Sequence, residues 1–344
     1  MKHAQARIGR LETGAITKSG GSRIRNVIAI MAMLMTVGGG HYLCAQSDTA
    51  AKSSDLTKNN AGASADHVWR RDLNPPAAVT GNEKKSDWQL TFEDEFDGPK
   101  LSPCWKFSYF GNERSLPSNG ELEYYADPGE VPEFSSVDQK AGILSLNAEP
   151  TPLDLLQNTN HLPYISGMIM SDGCFAQQFG YFEIRAKIPE GKGLWPAFWL
   201  LPTSHGWPPE VDVFEMFGAP NSRGEGGIGK FHTGTLQAPH DGTGAWYTMN
   251  VNQYTSFHTY GLQWSPNNVT VYVDGKVVSS QPTSDKVNTP MYLIANLAIG
   301  GPWVEAPDTT TRFPASMEID YIRVWQFKPW GSMTQQKETG SAVK

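Results

Sequence analysis

Gly180-Tyr181-Phe182-Glu183-Ile184-Arg185-Ala186-Lys187-Ile188 alternates strictly from Phe182 onward. In an extended chain Phe182, Ile184, Ala186 and Ile188 fall on one face, and Glu183, Arg185 and Lys187 on the other. The same period of two recurs on both sides of this stretch, in residues 142–148 and 317–325. Residues 269–273 and 276–278 flank Asp274-Gly275, a favoured two-residue hairpin turn. Residues 291–299 are almost all apolar, which reads as a strand buried on both faces. No stretch carries the 3.6-residue period of an amphipathic helix. Short strands separated by turns predict an all-β fold, a sandwich of two packed antiparallel sheets.

Composition agrees. The 344 residues include 34 Gly and 24 Pro, which interrupt helices, and 11% are aromatic. Charged residues are 18%, below the roughly 25% typical of globular chains, which excludes a coiled coil. The 39% hydrophobic content excludes wholesale disorder. Up to Ala45 there are six Lys/Arg and one acid, leaving 22 basic and 34 acidic residues, a net of −12, for the rest. An acidic body lacks the positive footprint that nucleic acid or an anionic membrane requires, so neither is expected as a partner. An uncharged substrate is compatible with it.

Residues 1–45 read as a signal peptide. Arg23 and Arg25 precede an apolar run of 11 residues, 27–37, that ends at Gly38-Gly39-Gly40. The run is short of the roughly 20 residues that span a bilayer. A secreted, periplasmic or extracellular location follows, with no membrane association after cleavage. Residues 46–86 lack periodicity and read as a disordered linker. Residues 87–327 form one dense segment, a single β-sandwich domain, and residues 328–344 a polar tail. A monomer is expected. Export leaves Cys104 and Cys174, and an oxidising compartment permits a bridge. A bridge and two buried thiols both fit the sequence.

Chemistry concentrates in Pro208-Pro209-Glu210-Val211-Asp212-Val213-Phe214-Glu215-Met216-Phe217. Glu210 and Asp212 share a strand face, with Val211 and Val213 turned into the core. A regular strand would put Glu215 on the opposite face; one extra residue, a β-bulge, brings it back. Three like charges on one face are unfavourable for stability alone. Upstream stand Trp195 and Trp199, with Trp207 just before the motif. Aromatic rings beside carboxylates suit a carbohydrate, whose apolar ring face stacks on Trp while carboxyls act on its acetal. Gly224 to Lys230 satisfies a phosphate-loop string, but Phe231 stands where Ser or Thr is needed and no helix follows. It reads as a flexible loop at the cleft rim.

These blocks resemble glycoside hydrolase family 16, the laminarinases, licheninases and related endo-glycanases. Glu210-Val211-Asp212-Val213-Phe214-Glu215 is similar to the family's signature in its bulged form. Gly180 to Arg185, Leu194-Trp195-Pro196-Ala197-Phe198-Trp199, Phe257 to Gly261 and Glu318 to Trp325 resemble its other blocks, in its order. The resemblance covers about residues 90–325. It implies a concanavalin-like jelly roll with a cleft on its concave face. It implies retention of configuration, with Glu210 as nucleophile, Glu215 as acid/base and Asp212 between them. It also implies that Glu183 and Arg185 line the cleft and that Asn119 and Glu121 edge the donor subsites. Trp195 would be a sugar platform, and His232 either reaches the cleft or is a structural histidine. Asn296, a polar residue in the apolar run 291–299, needs a buried partner or the ligand. No catalytic cofactor is implied. One structural calcium is, on Asp320 with carbonyls near Glu93 and Gly142, an oxygen-only set.

The resulting expectation is a secreted retaining endo-β-glycanase cutting β-1,3 or mixed β-1,3/1,4-glucan. A glycanase trimming exopolysaccharide, or a transglycosylase, would share every catalytic residue. A lectin-like domain on the same fold would have no use for three carboxyls together.

Overall fold

The alternating segments pair into two sheets in the computed structural model, which describes residues 74–131 and 134–331. The expected signal peptide and most of the expected linker and tail lie outside the described residues. In chain order the strands are β1 (Trp88–Asp94), β2 (Glu123–Tyr125), β3 (Val137–Lys140), β4 (Ile143–Pro150), β5 (Tyr164–Ser166), β6 (Met168–Met170), β7 (Gly180–Lys187), β8 (Leu194–Pro202), β9 (Glu210–Glu215), β10 (Lys230–Ala238), β11 (Asp241–Gly242), β12 (Ala245–Thr248), β13 (His258–Trp264), β14 (Asn268–Val273), β15 (Lys276–Pro282), β16 (Met291–Ile299) and β17 (Ala315–Phe327). Among the described residues the α-helices are two four-residue turns, Ala77–Thr80 and Gly301–Val304. None is long and apolar enough to cross a membrane.

A ten-stranded sheet runs β15-β14-β13-β7-β17-β4-β5-β2, with β1 added to β17 and β3 to β4. A seven-stranded sheet runs β11-β10-β9-β8-β16-β6, with β12 added to β10. All pairings are antiparallel except β2 with β5. The chain is an all-β jelly-roll sandwich. Its core lies between the sheets. Phe182, Ile184 and Ala186 of β7 and Leu144 and Leu146 of β4 meet Phe198 of β8, Val211 and Val213 of β9 and Leu293 and Ala295 of β16. Asp274 and Gly275 both have positive φ, 47° and 71°, as the two-residue turn between β14 and β15 requires.

Packing reaches beyond the expected boundaries at residues 87 and 327. Val79 is buried against Trp88, Tyr181 and Tyr272, and its carbonyl accepts a bond from the Gln263 amide. Trp330 packs edge-on against Trp88 and Phe327. These apolar side chains cover the outer face of the ten-stranded sheet near β1. The segment before Asp87 therefore packs on this sheet at Val79. Cys104 and Cys174 form a disulfide, with Cα atoms 5.3 Å apart.

Candidate active site

The carboxylate strip is made by a register shift in β9. Phe198 of β8 faces Phe214, but its next residue, Trp199, faces Asp212, so Val213 is the extra residue. On the other side His232 of β10 faces Glu215 and Gly234 faces Asp212, three residues of β9 against two of β10. Val213 and Phe214 are consecutive yet both fully buried in the core. That leaves Glu210, Asp212 and Glu215 together on the outer face of the seven-stranded sheet.

This face is a cleft with two basins that share the strip. One, of about 560 Å³, is lined by Tyr109, Phe110, Trp199, Trp207 and Asn296 among others. The second, of about 410 Å³, is lined by His232, Thr235, Gly244 and Trp303. Asn119, Trp195, Glu210, Asp212 and Glu215 border both. A long ligand can therefore cross the three carboxyls with its ends in opposite basins.

Burial and mutual repulsion govern the protons. Burial, and then Glu215 nearby, pushes Glu210 up from 4.5 to about 7, against hydrogen bonds from Trp207 and Asp212. The Trp207 indole donates to Glu210 Oε2 at 2.8 Å. Asp212 is raised well above the ordinary carboxylate range by burial, then by Glu210 and Glu215. The side-chain hydrogen bond between Asp212 and Glu210 lowers Glu210 and raises Asp212, the direction expected with the proton on Asp212. Glu215 Oε2 lies 3.0 Å from His232 Nδ1. The His232 ring sits in an aromatic corner, 5.6 Å from Trp246 and 5.1 Å from Trp303, and against the α-carbon of Gly244.

The remaining expected residues divide. Trp195 and Trp199, two rungs apart on β8, both face the cleft; Trp195 packs edge-on to Trp303. Asn119 closes the turn Pro117–Asn119 and gives its amide to Glu121 Oε1 at 3.0 Å. Glu121 also accepts from the Leu116 amide, so it shapes the loop from beneath. Asn296 lines the cleft, but its carboxamide is engaged: the Trp199 indole donates to it at 2.8 Å and it donates to the Tyr125 hydroxyl at 2.9 Å. The polar residue in the apolar strand β16 is a clamp that orients Trp199.

Glu183 and Arg185 are not in the cleft. Because Phe182, Ile184 and Ala186 fill the core, their neighbours on β7 face outward from the ten-stranded sheet, the side away from β9. Glu183 accepts from the Tyr181 and Tyr321 hydroxyls at 2.7 and 2.9 Å and is buried. Arg185 pairs with Asp320 at 2.7 Å and lies over Phe257. That pair also bears on the expected calcium set. The one buried carboxylate, Asp320, already carries a guanidinium, while Glu93 is exposed on β1. Among the described residues no group of three or more His, Cys, Asp or Glu could hold a metal ion. Calcium on Asp320 with carbonyls near Glu93 and Gly142 would share that carboxylate with Arg185.

Several cleft residues escaped the sequence reading. Tyr109, Phe110, His205 and Trp303 come from loops or single helical turns, with no period to mark them. Glu123, wholly buried in β2, accepts the Ile299 amide at 2.7 Å behind the cleft wall. The glycine loop expected to be flexible is bonded to Gln253, whose carboxamide accepts from the Gly229 amide at 2.9 Å and donates to the Gly227 carbonyl at 3.0 Å. The Asn221 and Arg223 side chains both donate to the Trp303 carbonyl, at 2.9 and 2.8 Å, and so seat Trp303 beside His232.

A jelly roll that carries a half-buried strip of carboxyls in an aromatic, two-basin cleft has the form of a glycan-processing protein. The chain belongs to the glycosyl hydrolases family 16, whose model matches residues 133–323. It is 34% identical over 246 residues to the endo-1,3-1,4-beta-glycanase ExsH of Rhizobium meliloti (strain 1021), covering 68% of this chain and 51% of that protein. EglC of the same organism, also an endo-1,3-1,4-beta-glycanase, is 34% identical over 248 residues, again 68% and 51%. The chain thus spans about half the length of these two relatives. The laminarinase catalytic domain of Thermotoga maritima MSB8 superposes with a TM-score of 0.59 at 31% identity, over 70% of this chain and 98% of that one.

Proposed function

We propose that this protein is a secreted, monomeric, retaining endo-β-glucanase acting on β-1,3 or mixed β-1,3/1,4-glucan. The observation that carries this reading is the β9 bulge, which sets Glu210, Asp212 and Glu215 on one face where two basins meet. Family membership and the endo-glycanase relatives support the substrate class, and the acidic body supports an uncharged polymer.

In the first step Glu210 attacks the anomeric carbon while Glu215 gives its proton to the departing glycosidic oxygen. The bond to the leaving sugar breaks as the glycosyl–Glu210 ester forms. In the second step Glu215 takes a proton from water, whose oxygen displaces Glu210 from the same carbon. Asp212, carrying a proton, donates to Glu210 without adding a second charge beside it. Trp207 holds the other side of the Glu210 carboxylate, and His232 holds Glu215. Calcium has no step in this chemistry.

The two glutamates fail differently if the roles are right. Glu210→Ala removes the nucleophile, and azide attacking an activated aryl glycoside directly gives an inverted glycosyl azide. Glu215→Ala still forms the ester from an aryl glycoside, and azide then gives a retained product. The anomeric configuration by NMR checks both. Swapped configurations reverse the assignment, and full activity in either variant refutes it.

A further inference from the structure

We propose that the far end of the larger basin is a remote glycan subsite whose floor is the Phe110 ring, held flat on His205. This rests on the glucanase reading above and names a site where the chain would grip sugar units distant from the cut.

Phe110 is 57% exposed, unusual for a large aromatic ring, yet it is not loose. Its ring lies 3.7 Å from the His205 ring at an interplanar angle of 13°, a close parallel stack. His205 is itself fixed from behind. Its Nε2 lies 3.0 Å from Asp172 Oδ1, and the other Asp172 oxygen accepts from the Lys106 ammonium at 3.0 Å. The Asp172 side chain is only 9% exposed, so the carboxylate that fixes His205 is itself buried. The His205 amide bonds the Pro202 carbonyl at 3.0 Å, with His205 at φ 57°, a left-handed turn that lifts the ring off the end of β8. Tyr292 of β16 stands beyond, 6.1 Å from His205.

The platform is continuous with the carboxylate strip. Phe110, His205, Trp207 and Glu210 border the same basin. Trp207, 59% exposed, is two residues after His205 and hydrogen-bonded to Glu210. An exposed aromatic track thus leads from the proposed reacting carbon to Phe110. Its occupant is a pyranose ring of the same uncharged chain. The C–H face of a sugar covers an aromatic face, and its hydroxyls remain at the edge for water and for Glu113, which also borders the basin.

The test measures affinity in an inactive background, Glu215→Gln, against β-glucan oligosaccharides from the trisaccharide upward, by calorimetry. Affinity should rise when the chain becomes long enough to reach Phe110. Phe110→Ala should cancel that rise, costing about five- to tenfold for long oligosaccharides, while Phe110→Trp should keep it. In the active protein the same substitution should flatten the dependence of kcat/KM on chain length. A length profile identical in Phe110→Ala overturns the subsite, as does an equal loss at every length, which would mark Phe110 as structural. Hydrolysis with no length profile in the parent overturns the subsite alone. Failure of every β-glucan oligosaccharide to bind or be cut overturns the glucanase reading with it.

Discussion

Glu210 is where the cost of the site is concentrated. A carboxyl raised from 4.5 to about 7 holds its proton more tightly folded than unfolded. Between those values the folded state binds more protons, so stability falls as pH rises, and the penalty is complete above about 7. Glu210→Gln removes the ionisation and keeps an acceptor for Trp207. The variant should therefore exceed the parent in stability at pH 8, by on the order of 1–3 kcal/mol, and the gain should vanish below pH 4.5. Denaturant midpoints across that range check it; a gain that grew toward acid would contradict the sign. The same proton should appear as the acidic limb of kcat/KM near neutrality, since Glu210 must be ionised to attack.

At the scale of elements, the β9 bulge works only because β10 and β12 hold its partner in place. His232 of β10 faces Trp246 of β12, and Gly244, just before β12, lies against the ring. A Cβ on Gly244 would meet His232 Cε1 at 2.5 Å, closer than real side chains approach, and Gly244 has no positive φ that would itself exclude alanine. Gly244→Ala should displace the imidazole and with it the contact to Glu215, lowering kcat by about tenfold or more with the fold retained. If the effect passes through His232, the Gly244→Ala/His232→Ala pair will be no slower than His232→Ala alone. Additive losses in that cycle would mean that the glycine acts on the cleft directly.

Across the whole molecule, one cleft wall comes from a long connection with little strand in it. Residues 103–122 supply Tyr109, Phe110, Asn119 and Glu121 and are anchored at one end by Cys104–Cys174, a link over 70 residues of sequence. Close by, Lys106 pairs with Met170 of β6 through the backbone. In the chain-entropy view a loop of this size contributes about 4 kcal/mol by restricting the unfolded chain. The double variant Cys104→Ala/Cys174→Ala should lose about 2–4 kcal/mol in denaturant titration. Its cleft wall should also become protease-sensitive before the sandwich core does. An unchanged midpoint would show that the bridge constrains little.

Much of this protein was legible without coordinates, because the pleat writes itself into neighbouring residues. Period two marked β4, β7 and β17, the Asp274-Gly275 turn marked its hairpin, and the spacing of Glu210, Asp212 and Glu215 called for a bulge. Tertiary structure decided what period two leaves symmetric. Both sheets have an outward face, and alternation alone does not say which bears the cleft; the family resemblance put Glu183 and Arg185 there, whereas β7 lies in the other sheet. It also decided contacts between residues far apart in the chain. Asn296 meets Trp199 and Tyr125, separated from it by 97 and 171 residues, and Arg185 meets Asp320 across 135. Such pairings depend on which strands become neighbours, and that is fixed by burial of the whole apolar surface rather than by any local pattern.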